Sequence, residues 1–260
     1  MPEPDLDLIV DAAKRAGAIA RQFYGGRFLQ WDKGAGEPVT EADLAVDRFL
    51  STTLRGARPD YGWLSEETED DPSRLAARNV FIVDPIDGTI AFLRGKPQFT
   101  IAIAIVRDGR PRAGVVFNPV TEECFAAAEG KGATLNGDSI HVSAQGEIEG
   151  CRMLATKSTF EEQSRKKAPW PAMQVEQRSS IAYRMALVAA GQFDAMLSLS
   201  AKHDWDLAAG DIIVREAGGR VSDARGFDLR YNGAAPYQHS VVAAGARLHE
   251  KLLDKLKTLP

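Results

Sequence analysis

Val80-Phe81-Ile82-Val83-Asp84-Pro85-Ile86-Asp87-Gly88-Thr89 is the stretch on which the reading of this 260-residue chain turns. Four apolar, largely β-branched residues in a row predict a buried strand, and the run stops abruptly at Asp84-Pro85. Two carboxylates three positions apart, with a proline between them, can face one point if the chain turns there. Gly88 permits such a turn and the close approach of another group. Paired acid oxygens suit a hard cation such as Mg²⁺, and the backbone carbonyl of Ile86 lies between them as a further oxygen. The same residues also suit a plain Asp-Pro turn with solvated acids. At this point both readings stand.

Upstream, Leu6, Ile9, Ala13, Ala16 and Ala20 recur at helical spacing and predict a helix over 6–24 that ends at Gly25-Gly26. A Gly-rich loop is expected over 33–38, then a second helix starting at Thr40. A short strand over 61–64 carries Glu66-Glu67 at its end. Downstream, apolar segments 99–106, 113–117 and 124–128 read as strands, the first two joined by a turn at Asp108-Gly109, and so predict an antiparallel sheet. A Gly-rich stretch follows over 129–137. After a boundary at 145–150, strands at 153–155, 195–199 and 241–244 alternate with helices at 182–190 and 206–217, which is an α/β pattern. The predicted fold class is therefore α/β (α+β): an α+β half, 1–148, followed by a smaller α/β half, 149–260, that completes the active site.

The composition narrows the function. With 44% hydrophobic and 26% charged residues and a net charge of −4, the chain has ordinary globular composition. No arm or helix face concentrates Lys and Arg, so neither a nucleic acid polymer nor a membrane is expected as partner. A small metabolite fits better. The two cysteines, Cys124 and Cys151, match no zinc-ligand spacing and read as buried free thiols in a reducing compartment. The first residues are acidic and lack a long apolar core, so no signal peptide is expected and a cytoplasmic location is.

Other acids have local explanations. Glu66-Glu67 suits a solvated loop, and Asp206 suits the N-cap of the helix it opens. Thr40-Glu41-Ala42-Asp43 fits a capping box in which Asp43 reaches back to the Thr40 amide. Taken together, however, GEPVTEADLAVD (36–47), WLSEE (63–67), VDPIDGT (83–89) and WDLAAGDIIVREAGG (205–219) resemble, in order and separation, the inositol monophosphatase family. The resemblance extends from the first helix to the last strands.

It implies a layered α/β/α/β/α sandwich and a Mg²⁺-dependent phosphatase that binds two or three ions. On that resemblance Glu66, Asp84, Asp87, Asp206 and the Ile86 carbonyl are the metal ligands. Asp43 and Thr89 orient and deprotonate the attacking water, with Glu66 the third candidate catalytic residue and Glu67 in support. Substrate contacts fall to Asp87, Gly88, Thr89, Ser180 and Asp206. A homodimer and inhibition by lithium are implied as well.

Inositol phosphatases carry an acid shortly before the WD motif that binds sugar hydroxyls. Residues 195–202 contain none, with Leu199 and Ser200 in that neighbourhood. Leu-Ser-Glu-Glu at 64–67 and Ser179-Ser180 look more like the 3′(2′),5′-bisphosphate nucleotidase branch, so adenosine 3′,5′-bisphosphate is the expected substrate. Inositol 1-phosphate and then histidinol phosphate are the alternatives. Arg178, Tyr183, Arg184, Lys202 and His203 are candidates to line a pocket for an anionic or aromatic leaving group, or else are ordinary surface and packing residues. A serine hydrolase is disfavoured because no Gly-x-Ser-x-Gly elbow occurs. A catalytically silent cation- or phosphate-binding regulator is the non-enzymatic alternative.

Overall fold

The computed structural model describes residues 4–26, 29–32, 38–156, 159–160 and 169–257. The Gly-rich loop expected over 33–38 lies outside them except for Pro38, as do Gly36 and Glu37 of the first acid motif.

Helix α1 (Asp5–Phe23) buries Leu8, Ile9, Ala12, Ala13, Ala16 and Ala20, the three- and four-residue spacing read from the sequence. A short antiparallel pair, β1 (Gln30–Asp32) and β2 (Pro38–Thr40), leads into α2 (Glu41–Ala57). Both helices press on one face of a seven-stranded sheet. Its strands are β3 (Gly62–Ser65), β4 (Asn79–Asp87), β5 (Thr100–Arg107), β6 (Arg110–Asn118), β7 (Glu123–Ala128), β8 (Ala133–Leu135) and β9 (Asp138–Ile140), in that spatial order. The turn expected at Asp108-Gly109 joins β5 to β6. All neighbours are antiparallel except β3 and β4, which run parallel because the connection between them is long enough for a crossover. The Gly-rich 129–137 is more than a loop, since it contains β8 and carries the sheet outward to β9.

A short helix, α3 (Thr89–Leu93), follows β4 directly. The second half supplies β10 (Arg152–Leu154), β11 (Gln174–Glu176), α4 (Ile181–Ala189), β12 (Ala195–Ser198), β13 (Lys202–His203), α5 (Asp204–Glu216), β14 (Gly219–Ser222), β15 (Tyr237–Gln238), β16 (Val241–Gly245) and α6 (Ala246–Lys257). Strands β11-β10-β12-β16-β14 form a mixed five-stranded sheet, and β13 pairs with β15 apart from it. Strands β11 and β14 and helix α6 had no counterpart in the sequence reading. The strands are only three and four residues long and carry Gln, Glu, Gly and Arg, too little apolar alternation to register. The helix is strongly amphipathic, but its apolar residues are separated by charged ones.

Period-two alternation decides the layers. Phe81, Val83, Ile101, Ile103 and Val115 face α1 and α2. Their strand neighbours Ile82, Ala102, Ala104 and Val116 face the opposite way, onto α4 and α5. The far side of α4 and α5 packs on Leu154, Met196, Val241 and Ala243 of the second sheet. The alternate residues Met153, Leu197, Val242 and Ala244 bury Leu248 and Leu252 of α6. The result is helix, sheet, helix, sheet, helix, as the family resemblance implies. Gly210 lets the two middle helices touch, since a Cβ there would sit 2.6 Å from the Met185 Cβ. Cys124 and Cys151 are both buried and free. Among the described residues, no helix is long and apolar enough to cross a membrane.

Candidate active site

Strand β4 does not stop at Asp84-Pro85; it continues to Asp87. Its register against β5 shifts at that point, from Asp84 opposite Ala102 to Asp87 opposite Thr100. Three steps on one strand thus face two on the other, a bulge that accommodates a proline with no amide to give the ladder. The extra residue matters chemically. In a regular strand, positions three apart point to opposite faces; the bulge restores their parity and brings both carboxylates to one side. Gly88 then turns the chain at φ +98°, where a Cβ would lie 2.9 Å from the Gln98 carbonyl oxygen and 3.0 Å from the Ser180 nitrogen.

The third acid arrives from the other half. Helix α5 begins at Asp204, two residues before the expected start, so Asp206 occupies its third position and is not the N-cap. It nevertheless serves the helix start, because its Oδ2 accepts the His203 amide at 2.8 Å. Asp84, Asp87 and Asp206 each bring a carboxylate oxygen within 4.8 Å of the others, a group that could hold a metal ion. Burial pushes the Asp84 carboxyl well above the usual range, and the charges of Glu66, Asp87, Asp206 and Asp43 push it further. Asp206 is likewise raised well above its ordinary value by burial, then by Asp87 and Glu66. Burial also raises Asp87, to about 6, against three hydrogen bonds that favour its charged form. Burial and mutual repulsion disfavour the charged form of all three carboxyls, and a hard divalent ion would satisfy the same oxygens.

Those three bonds to Asp87 come from the start of α4. The Ser180 hydroxyl donates to Oδ2 at 2.6 Å, the Ala182 amide to the same oxygen at 2.6 Å, and the Ile181 amide to Oδ1 at 3.1 Å. Ser180 also accepts the Tyr183 amide at 2.9 Å. Because its proton goes to Asp87, the 3.1 Å contact with Thr100 has the Thr100 hydroxyl as donor. Ser180 is wholly buried. The sequence reading gave it a substrate contact, but its hydroxyl is turned to Asp87 and Thr100. Thr100 itself was not foreseen, since a threonine in an apolar strand gives no local sign of what it faces.

The remaining candidates sit around this cluster. The Asp84 Oδ1 accepts the Ile86 amide at 3.1 Å, and the Thr89 hydroxyl donates to the Ile86 carbonyl at 3.2 Å. Asp43 is buried at the third position of α2, where its Oδ2 accepts the Thr40 amide at 2.8 Å and the Thr40 hydroxyl at 2.5 Å. The capping box read from the sequence is formed, and the Asp43 charge still reaches Asp84. Glu66 is outside the 4.8 Å group but lines the cleft with Asp87, Gly88, Thr89 and Asp206. That cleft encloses about 820 Å³. Arg184, Lys202 and His203 also line it. Tyr183 does not; its hydroxyl donates to Glu123 at 2.5 Å.

A five-layer sandwich that brings carboxylates from strand β4 and helix α5 together beside one open cleft defines a metal-dependent hydrolase of small esters. The comparisons give the family. Residues 1–260 match the inositol monophosphatase family, and the chain belongs to it. It is 35% identical to inositol monophosphatase 3 of Solanum lycopersicum, over 87% of this chain and 89% of that one. It is 32% identical to the Nus factor SuhB of Haemophilus influenzae, over 98% and 96%. The crystal structure of the extragenic suppressor protein suhB from Bartonella henselae superposes with a TM-score of 0.85 at 31% identity, covering 98% of this chain and 99% of that one. The protein is thus a phosphatase of a metal-dependent family that hydrolyses phosphate monoesters.

Proposed function

We propose that this chain is a Mg²⁺-dependent phosphomonoesterase that uses water directly, without a covalent nucleophile. The observation that carries the reading is the convergence of Asp84, Asp87 and Asp206 within 4.8 Å beside an 820 Å³ cleft. In this reading Asp84, Asp87, Asp206, Glu66 and the Ile86 carbonyl hold two or three Mg²⁺ ions. When bound, the ions polarise water and neutralise charge on the phosphate oxygens. The chain's own work is positional, as phosphoryl transfer requires. Asp43 takes the proton of the attacking water, and the Thr89 hydroxyl, aligned by its bond to the Ile86 carbonyl, orients that water. Ser180 and the first amides of α4 hold Asp87 at one angle. Residues 1–148 and 149–260 act as two halves, with Asp206 the second half's contribution to the metal set.

For the substrate, adenosine 3′,5′-bisphosphate remains the first choice. It is supported by the absence of an acid in 195–202 and by the basic residues Arg184 and Lys202 in the cleft. Inositol 1-phosphate has equal support, from relatives that bear the inositol monophosphatase name; histidinol phosphate is the third choice. The protein is further proposed to be a cytoplasmic homodimer. A phosphate-release panel over adenosine 3′,5′-bisphosphate, inositol 1-phosphate, histidinol phosphate and fructose 1,6-bisphosphate tests the reading, with Mg²⁺ and with EDTA. Release that persists in EDTA would end the metal assignment, and the preferred ester names the substrate.

A further inference from the structure

Asp47 closes the first acid motif, yet the site described above gives it no part. It lies on α2 one turn beyond Asp43, so the two side chains leave the same face of that helix. The residue is 9% exposed. Burying a carboxylate is costly unless its oxygens are filled, and here each oxygen takes a hydroxyl. Oδ1 accepts the Ser65 hydroxyl at 2.6 Å and Oδ2 accepts the Thr68 hydroxyl at 2.8 Å. Thr68 in turn accepts the Trp63 indole N–H at 3.2 Å.

Those two hydroxyls bracket Glu66-Glu67, so one carboxylate from α2 pins both ends of the segment that carries them. The sheet alone does not fix this segment. Strand β3 is an edge strand, and its parallel pairing with β4 ends at Ser65 opposite Val83. The Glu66 amide still reaches the Val83 carbonyl at 3.3 Å, and residues 66–68 then bend away. Glu66 lines the cleft but stands outside the 4.8 Å group of Asp84, Asp87 and Asp206. Its reach toward those acids is therefore set by where segment 65–68 is held. Of the charges that raise the Asp84 carboxyl, that of Glu66 is the largest, so the segment does turn Glu66 toward the cluster.

We propose that Asp47 is a positioning residue for Glu66. Through the Ser65 and Thr68 hydroxyls it fixes the segment that brings this ligand to the metal cluster. Helix α2 thereby sets two acids at once, Asp43 directly and Glu66 by way of Asp47. The inference rests on the phosphomonoesterase reading, in which Glu66 holds metal, and adds to it a residue outside the cleft lining. Losing an outer partner of this kind costs about 10- to 100-fold in metal affinity.

Calorimetric titration with Mg²⁺ alone reads the effect without turnover, at a temperature well below the Tm of each variant. Asp47→Ala should weaken Mg²⁺ binding by about 10-fold or more, and Asp47→Asn, which keeps one acceptor oxygen, by about threefold. Ser65→Ala and Thr68→Val each remove one hydroxyl, and each should cost less than Asp47→Ala. In a Glu66→Gln background, Asp47→Ala should shift the constant by less than about threefold, because the ligand it positions is already lost. In phosphate-release assays Asp47→Ala should need correspondingly more Mg²⁺ for its half-maximal rate. A lowered Tm with an unchanged Mg²⁺ constant makes Asp47 a fold contact only and overturns the proposal. So does an undiminished effect in the Glu66→Gln background. If Asp47→Ala fails to fold, Ser65→Ala and Thr68→Val decide, and an unchanged constant in both overturns it. An unmodified enzyme that binds no Mg²⁺ removes the metal reading itself, and this role for Asp47 with it.

Discussion

At the start of α2 the Thr40 amide donates to Asp43, three residues on, at 2.8 Å; at the start of α5 the His203 amide does the same to Asp206, also at 2.8 Å. The two helix starts use one local device and place their acids differently. Asp43 is buried and receives the Thr40 hydroxyl as well, whereas Asp206 stands in the group with Asp84 and Asp87 and lines the cleft. Capping and chemistry therefore coexist, because a carboxylate has more acceptor sites than a cap consumes. What separates the two acids is the neighbours that distant strands bring to them.

The sharpest way to break this comparison is Asp206→Asn. If Asp206 holds a metal ion, kcat/KM falls by on the order of 10³-fold or more, while the metal-free protein melts at a higher temperature because one of three mutually repelling carboxyls is gone. Near-normal turnover would make Asp206 a cap alone.

Metal linkage gives the next effect. With a folded value of about 6 against an ordinary 3.8, Asp87 holds a proton in the native state that the unfolded chain has released between about pH 4 and pH 6. Metal-free stability from this group therefore falls as pH rises through that window, by about 3 kcal/mol. The Tm difference with and without Mg²⁺ should accordingly be small near pH 4 and grow through pH 6. It should keep growing beyond, because Asp84 and Asp206 are raised as well. A pH-independent difference would contradict the cluster.

Asp43→Asn should cost about 10²-fold in kcat through loss of the base, with little change in Tm because the amide oxygen still accepts from Thr40. A fall in Tm with unchanged kcat would reduce Asp43 to its cap. Ser180→Ala frees Asp87 to rotate and should cost about 10-fold in activity or Mg²⁺ affinity, read by titrating the metal against phosphate release. Thr40→Val, which removes only the hydroxyl side of the α2 cap, should cost about 1 kcal/mol in a urea melt.

Much of the site was legible because its motifs are local. The Asp-Pro-Ile-Asp-Gly-Thr run after an apolar strand, the capping box at Thr40 and the apolar segments 99–106 and 113–117 joined by the Asp108-Gly109 turn each describe neighbours in the chain. The bulge in β4 was not legible. A proline after Asp84 reads as the end of a strand, and only the pairing with β5 shows the strand continuing with altered parity. The hydrogen-bond partners of the Ser180 hydroxyl were hidden for the same reason, as Asp87 and Thr100 lie 93 and 80 positions away.

By itself, then, the sequence determined which acids are available, which helices and strands carry them and the family to which the chain belongs. Helical and strand periodicity and backbone propensity act over a few residues, so they are written locally. Only the tertiary structure decided that Asp206 meets Asp84 and Asp87, that α4 clamps Asp87, and that Arg184 and Lys202 share their cleft. Those contacts depend on which faces the two sheets bury against α4 and α5, and burial is a property of the whole packed chain.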